Sequence, residues 1–299
     1  MGRLNMSPSR QGHLAMLCFS MLVAGSFSLG SLAANEIAPG ALNAVRFGVA
    51  AVAIGIAVLV TGGMQRSALQ APWRYLLLGG IFGTYFVLMF EGLKTAPPIS
   101  AAAVFTLTPI MAAGFGWLLL RQVLTGRMAF GLSVGALGAL WVIFRADVSA
   151  LLAFEVGRGE LIYVVGCACH ALYTPLVRKL NRGEPALVFS FGVLVAGCLL
   201  ITMYSWGDLR ATNWMALPSI VWVTIIYVAL CASSMTFVLM QFATMRLPSA
   251  KVMAYTYLTP SWVILWQVAL GNAVPTVWIL GGVGLTIVAL LLLLRDDAV

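Results

Sequence analysis

The chain is 299 residues long, 62% apolar and only 9% charged, with a mean hydropathy of +1.00. Soluble domains carry roughly 25% charged residues, so this composition excludes a soluble globular protein and points to an all-α or all-β integral membrane protein. The net charge of +8 is explained by basic loops facing anionic lipid, and it is no sign of nucleic-acid binding.

In chain order, ten apolar stretches have the roughly 17–25 residues that a helix needs to cross the hydrocarbon core. They run over 13–34, 41–60, 73–93, 99–120, 128–144, 159–180, 185–204, 217–245, 250–270 and 277–294. The runs are continuously apolar, whereas barrel strands alternate, so helices are expected. The first stretch has Arg3 and Arg10 before it and Ala33-Ala34 after it. It is too long for the apolar core of a signal peptide and is read as an uncleaved span. Cys18, Cys167, Cys169, Cys198 and Cys231 all fall within spans. Cys167 and Cys169 lie about 200° apart around a helix, which suits neither a disulfide nor a metal, so they read as small packing residues.

With the N-terminus inside, twelve of the 17 Lys and Arg fall on the inner side, Arg66, Arg74, Arg121, Arg127, Arg178, Lys179 and Arg182 among them. Arg46, Lys94, Arg145, Arg158 and Arg210 fall on the outer side. The positive-inside rule then places both termini in the cytoplasm. The expected division is a cytoplasmic tail at 1–12, a first five-helix unit at 13–147, an outer connecting loop at 148–156, a second unit at 157–294 and a cytoplasmic tail at 295–299.

The chain contains an internal repeat. Residues 97–109, Pro-Pro-Ile-Ser-Ala-Ala-Ala-Val-Phe-Thr-Leu-Thr-Pro, return as residues 248–260, Pro-Ser-Ala-Lys-Val-Met-Ala-Tyr-Thr-Tyr-Leu-Thr-Pro. Gly12 aligns with Gly159, Pro39 lies near the place of Pro185, and Gly131 matches Gly282. Five spans per half is an odd number, so the halves must be inverted relative to each other, an arrangement that places a solute site between them. The expected fold is therefore an all-α membrane protein of ten transmembrane helices in two inverted five-helix repeats.

Pro109 and Pro260 lie in mid-span. A proline there bends the helix and frees a carbonyl, and Thr108 and Thr259 stand beside them to supply hydroxyls. They are either two static kinks or the polar midpoints of a central site. His170 is the one histidine in a span interior, with Tyr173 and Thr174 on its face. An ionisable group at that depth marks function unless a neighbouring helix hydrogen-bonds it. Tyr85, Tyr173 and Tyr257, with Trp262 and Trp266, either line a cavity or form lipid-facing belts. Gln241 is a buried polar group that needs a partner. Arg46 and Glu91 have similar depths and suit a structural ion pair, with Glu36 as the competing acid. Gly79-x-x-x-Gly83 and Gly131-x-x-x-Gly135 fit close helix packing. No phosphate-binding Gly-rich loop, metal-ligand cluster or mid-membrane carboxylate is present. No cofactor, metal or catalytic residue is therefore expected.

The residues Pro39 to Phe47, Ala171-Leu-Tyr-Thr174 ahead of Arg178-Lys179, and the two Pro…Leu-Thr-Pro stretches together resemble the drug/metabolite transporter superfamily. The likeness is to its ten-helix branch of two EamA-type repeats, and it covers nearly the whole chain. It departs where the family often has Gly-Glu after spans four and nine, here Arg121-Gln122 and Gly271-Asn272. It departs again where the family often has Trp, here Ala24 and His170. Around Tyr85, Thr108, His170 and Tyr257 it is most similar to aromatic amino-acid exporters. The resemblance implies a multi-pass protein of the bacterial inner membrane that exports small metabolites, foremost amino acids, by alternating access. The implied cavity is lined by spans one, three, four, six, eight and nine, with spans five and ten as braces. Its implied partners are a small-molecule substrate and membrane lipid. A nucleotide-sugar or drug carrier of the same fold, a membrane-embedded enzyme and a channel are the alternatives, and the oligomeric state stays open.

Overall fold

The computed structural model describes residues 7–61, 63, 66–144, 146–149 and 156–294. Arg3, Arg145 and Arg295, residues 150–155 of the expected outer loop and the tail at 295–299 lie outside the described residues. Among the described residues there is no strand, and nine helices are long and apolar enough to cross a membrane. They are spans one (Pro8–Ala33), two (Pro39–Val60), three (Trp73–Gly92), four (Pro98–Leu120), five (Gly126–Ile143), six (Arg158–Leu180), seven (Ala186–Tyr204), eight (Ser219–Thr244) and ten (Val277–Leu294). Span nine completes the ten as Ser249–Ala254, a 3-10 turn at Tyr255–Leu258, and Thr259–Ala269.

Proline sets several of the starts. Pro8, Pro39 and Pro98 each occupy the first helical position, where the missing N–H has no partner to lose. Ser7 caps span one by accepting from the Arg10 N–H at 3.4 Å, and Thr125 caps span five by accepting from the Met128 N–H at 3.2 Å. The outward faces carry apolar side chains, among them Val52, Ile56 and Leu59 of span two, Leu118 of span four and Leu291 of span ten. That exposure suits lipid, which has no water to satisfy polar groups.

The helix contacts repeat across the halves. Span three packs on span six, and its counterpart span eight packs on span one. Spans two and seven, four and nine, and five and ten pack on each other. Those are the pairings of a two-fold that exchanges the halves, and the odd number of spans per half makes the repeats inverted. Spans five and ten approach closest at their glycines: a Cβ built on Gly138 would stand 2.7 Å from the Gly282 carbonyl oxygen. The starts of spans one, three, five, seven and nine lie at one end of the bundle, which we call the first side.

Both Leu-Thr-Pro stretches break their helix. Span four consists of Pro98–Phe105 and Thr108–Leu120, with Pro109 in the first turn of the second piece, and Pro260 holds the same place in span nine. Span eight has its own irregularity, a π-helical turn at Leu230–Met235, and Pro175 sits inside span six.

Candidate functional site

Phe82 of span three is the hub of a buried aromatic centre. Its ring centre lies 4.2 Å from Tyr173, 4.7 Å from Phe237, 4.9 Å from Phe86, 5.1 Å from His170 and 5.4 Å from Tyr85. His170 also meets Tyr85 at 4.5 Å, Phe105 at 5.0 Å and Phe19 at 6.3 Å. The Tyr85 and Tyr163 hydroxyls are 3.2 Å apart. Rings from spans one, three, four, six and eight thus converge where the halves meet. The offset and edge-on geometries are those that aromatic quadrupoles favour.

The polar atoms at this centre are incompletely paired. His170 Nδ1, Thr174 Oγ1 and both ends of the Gln241 amide are buried without a hydrogen-bond partner. Each such group costs about 1–3 kcal/mol against a bonded one. Groups left in this way in a native protein call for a partner outside the protein, such as a trapped water. Thr174 lies one turn beyond His170 on the same face of span six. Gln241 lies one turn beyond Phe237 on span eight, which packs on span six.

A second feature opens on the first side. A cavity of about 410 Å³ lies between the ends of spans four and six and the starts of spans five and nine. Its lining includes Leu120, Gln122, Met128, Arg178 and Pro248. Gln122 Oε1 accepts from the Ser249 N–H at 3.2 Å and so ties the two halves at this mouth.

The residues singled out from the sequence fall into three groups. Tyr85, His170 and Tyr173 stand in the aromatic centre, with Gln241 beside it on the turn after Phe237. Thr108 and Pro109 stand at its edge, where the Thr108 hydroxyl donates to the Phe105 carbonyl at 2.7 Å and lies 3.2 Å from the Thr256 hydroxyl. Thr259 and Pro260 occupy the matching break, where Thr259 Oγ1 has no partner.

Tyr257 departs from its expected place. Its ring end lies against Gly135 of span five, where an added Cβ would come within 2.5 Å of it, and Thr286 of span ten donates to its carbonyl at 2.9 Å. The 3-10 turn that carries it winds more tightly than an α-helix and turns the ring toward the bracing pair instead of the centre. Trp262 and Trp266 are half-buried, with Trp262 donating to Ser20 Oγ at 3.2 Å and Trp266 packed on Tyr227.

The expected Arg46–Glu91 pair is also corrected. Glu91 pairs with Lys94 at 2.8 Å, at the end of span three where water still solvates a carboxylate. Arg46 reaches instead across to span eight. Its Nε donates to Ser233 Oγ at 2.7 Å and its Nη2 to the Ala232 carbonyl at 2.9 Å.

Phe19, Phe82, Phe86, Phe105 and Phe237 complete the centre and have no polar tip to set them apart in the sequence. Phe82 and Phe86 share span three with Tyr85, but an apolar ring costs nothing to bury in lipid and so carries no mark of its own.

Two inverted five-helix repeats closing on a buried, partly unpaired centre define a membrane transporter. The family comparison specifies which: the chain belongs to the EamA-like transporter family, whose model matches residues 10–144 and again 157–295. The uncharacterized transporter YyaM of Bacillus subtilis is 25% identical over 91% of this chain and 90% of its own length. The aromatic amino acid exporter YddG of Ancylobacter novellus is 27% identical over 62% of this chain and 63% of its own. An S-adenosylmethionine/S-adenosylhomocysteine transporter of Chlamydia muridarum is 27% identical over 58% of this chain and 57% of its own. A solved structure described only as "Crystal structure of protein" superposes with a TM-score of 0.73, covering 98% of this chain and 99% of its own at 22% identity, a likeness of fold alone.

Proposed function

We propose that the protein exports amino acids, aromatic and other neutral ones, across a bacterial inner membrane by alternating access. The observation that carries this reading is the aromatic centre with the unpaired His170 Nδ1 and Gln241 amide. Stacked rings suit an apolar or aromatic side chain, and unpaired polar atoms suit an amino acid's head group. The similarity to an aromatic amino acid exporter supports the same class. In this reading the first side is cytoplasmic and both termini lie there, as the basic residues favour. The cavity beside Arg178 is then the entrance.

The test is counterflow of labelled phenylalanine into liposomes holding the purified protein. Saturable uptake that unlabelled neutral amino acids compete is expected, and absence of exchange with any amino acid overturns the reading. His170→Ala should lower flux or change preference while expression stays near wild type. Normal transport by that variant would place the pocket elsewhere. Reporters fused after Arg182 should read cytoplasmic and after Arg210 external; the same side for both would remove the inverted arrangement.

The similarity to an S-adenosylmethionine/S-adenosylhomocysteine transporter supports one second reading, a carrier of nucleoside-bearing metabolites whose base stacks on the same rings. Competition by adenosine compounds but not by amino acids selects it.

A further inference from the structure

Arg46 is wholly buried, about two turns into span two. Among the described residues, no carboxylate lies within ion-pair distance of it. The other wholly buried arginine, Arg74, has Glu184 at 2.7 Å. The acceptors of Arg46 are neutral: the Ser233 hydroxyl, the Ala232 carbonyl and, at a long 3.5 Å, Asn43 Oδ1. A guanidinium has five N–H donors, so two remain unspent and the third contact is weak. A buried cation in a membrane protein is costly unless paired, and such residues mark solute pathways.

Its surroundings say what kind of anion fits. The guanidinium stacks 3.6 Å from the centre of the Phe86 ring. Phe86 touches Phe82 at 4.9 Å, and Phe237, one turn beyond Ser233, touches Phe82 at 4.7 Å. The charge therefore stands at the wall of the aromatic centre. A planar fork beside apolar rings matches a carboxylate on an apolar body. Both strong acceptors, Ser233 and Ala232, belong to the π-helical turn of span eight, and such turns recur at functional sites.

We propose that Arg46 reads the carboxylate of the solute and that the solute competes for it with the π-turn of span eight. This rests on the amino-acid reading above and adds to it the group that is recognised and the helix that is released. A carboxylate's charge-assisted bonds are stronger than those to a hydroxyl and a carbonyl. Binding therefore frees Ser233 and Ala232, and with them the tie between spans two and eight. The specificity follows: a solute keeps its place through its carboxylate, and the amide of the same body is a poor substitute.

The experiment titrates the purified full chain with 3-phenylpropionate and with 3-phenylpropionamide, followed by thermal shift. Wild type should bind the acid roughly tenfold or more tighter than the amide. Arg46→Gln should erase that preference, and Arg46→Lys should keep part of it. Ser233→Ala removes only the competing hydroxyl, so the acid should bind more tightly while the amide is unchanged. Because Ser233→Ala is small and conservative, it carries the test even if Arg46→Gln does not fold. Equal binding of acid and amide by wild type, an unchanged preference in Arg46→Gln, or an unchanged ratio in Ser233→Ala makes Arg46 a helix tie and overturns the proposal. Phenylalanine counterflow separates the two readings. Acid preference without amino-acid exchange refutes the amino-acid reading alone, and exchange without acid preference refutes Arg46 alone.

Discussion

Spans three and eight hold equivalent places in the two halves and are built differently. Span three is an uninterrupted helix that carries Phe82, Tyr85 and Phe86, and its start is fastened. Arg74 donates to Glu184 at 2.7 Å, to the Leu180 carbonyl at 2.6 Å and to the Gln70 carbonyl at 3.1 Å. Span eight carries one ring of the centre, Phe237, and a π-turn tied to Arg46. The same contrast holds between spans four and nine. The Thr108 hydroxyl is bonded in the first break, whereas the hydroxyls of Tyr257 and Thr259 have no partner in the second. The repeat sets where the helices lie, and the positions at which its two copies differ set how each is held. Each half has one broken span, but among the described residues most of the unpaired buried polar atoms, those of His170, Gln241 and Thr259 included, lie in the second half.

The largest expected effect comes from unfastening span three. Glu184→Gln leaves the Arg74 charge buried beside a neutral amide. Removing one partner of a buried pair costs about 3–5 kcal/mol, read as a lowered melting temperature in detergent. The pair also predicts a pH dependence. Burial alone would raise the Glu184 pKa, but hydrogen bonds from Arg74 and from the Arg182 N–H, with the Arg74 charge, bring it below the usual carboxylate value. A lowered folded pKa stabilises above the unfolded value, and that stability is lost as pH falls through the folded one. Wild type and Glu184→Gln should therefore differ most at neutral pH and converge in acid. A constant gap across that range would remove the ion pair from the account.

Spans five and ten give an intermediate effect. A Cβ on Gly135 would meet the Tyr257 ring, whereas one on Gly284 meets nothing within 4 Å. Gly135→Val should cost about 1–3 kcal/mol by overpacking, and Gly284→Ala should be within about 0.5 kcal/mol of wild type. Tyr257→Ala in the Gly135→Val background should recover part of the loss, as contacting residues couple. Equal melting temperatures for the two single variants would mean that Tyr257 does not lie against span five.

The ten spans were legible because lipid demands long apolar runs, and the breaks in spans four and nine because the sequence states them twice with proline. The π-turn was not legible: Leu-Cys-Ala-Ser-Ser-Met at 230–235 has neither proline nor glycine, and an inserted helical residue leaves no compositional mark. The short helix Trp206–Ala211 was hidden for a similar reason, since six residues carry little periodicity. Depth along a helix was readable and direction around it was not. That is why the sequence suggests a pair of Arg46 and Glu91, at similar depth, while Arg46 reaches span eight. His170 and Gln241 stood out because polar groups in lipid are expensive. The phenylalanines around them cost nothing to bury, so nothing in the sequence distinguished the hub ring, Phe82, from packing.

The smallest effect is the sharpest test of the two breaks. Thr108 and Thr259 have the same neighbours in sequence, and Thr→Val removes the same hydroxyl from each. At Thr108 it removes the bond to the Phe105 carbonyl and the contact with Thr256, an expected loss of about 1 kcal/mol. At Thr259 the hydroxyl has no partner, so its removal should be neutral or stabilising, because a buried unpaired polar group leaves with it. The expected pattern is thus a lowered melting temperature for Thr108→Val and an unchanged or raised one for Thr259→Val. Transport adds the second axis. If the unpaired hydroxyl serves the solute or the moving helix, Thr259→Val lowers flux without lowering stability. Equal shifts in melting temperature for both variants would erase the difference between the breaks. Normal flux in Thr259→Val would leave its unpaired hydroxyl without a role in transport.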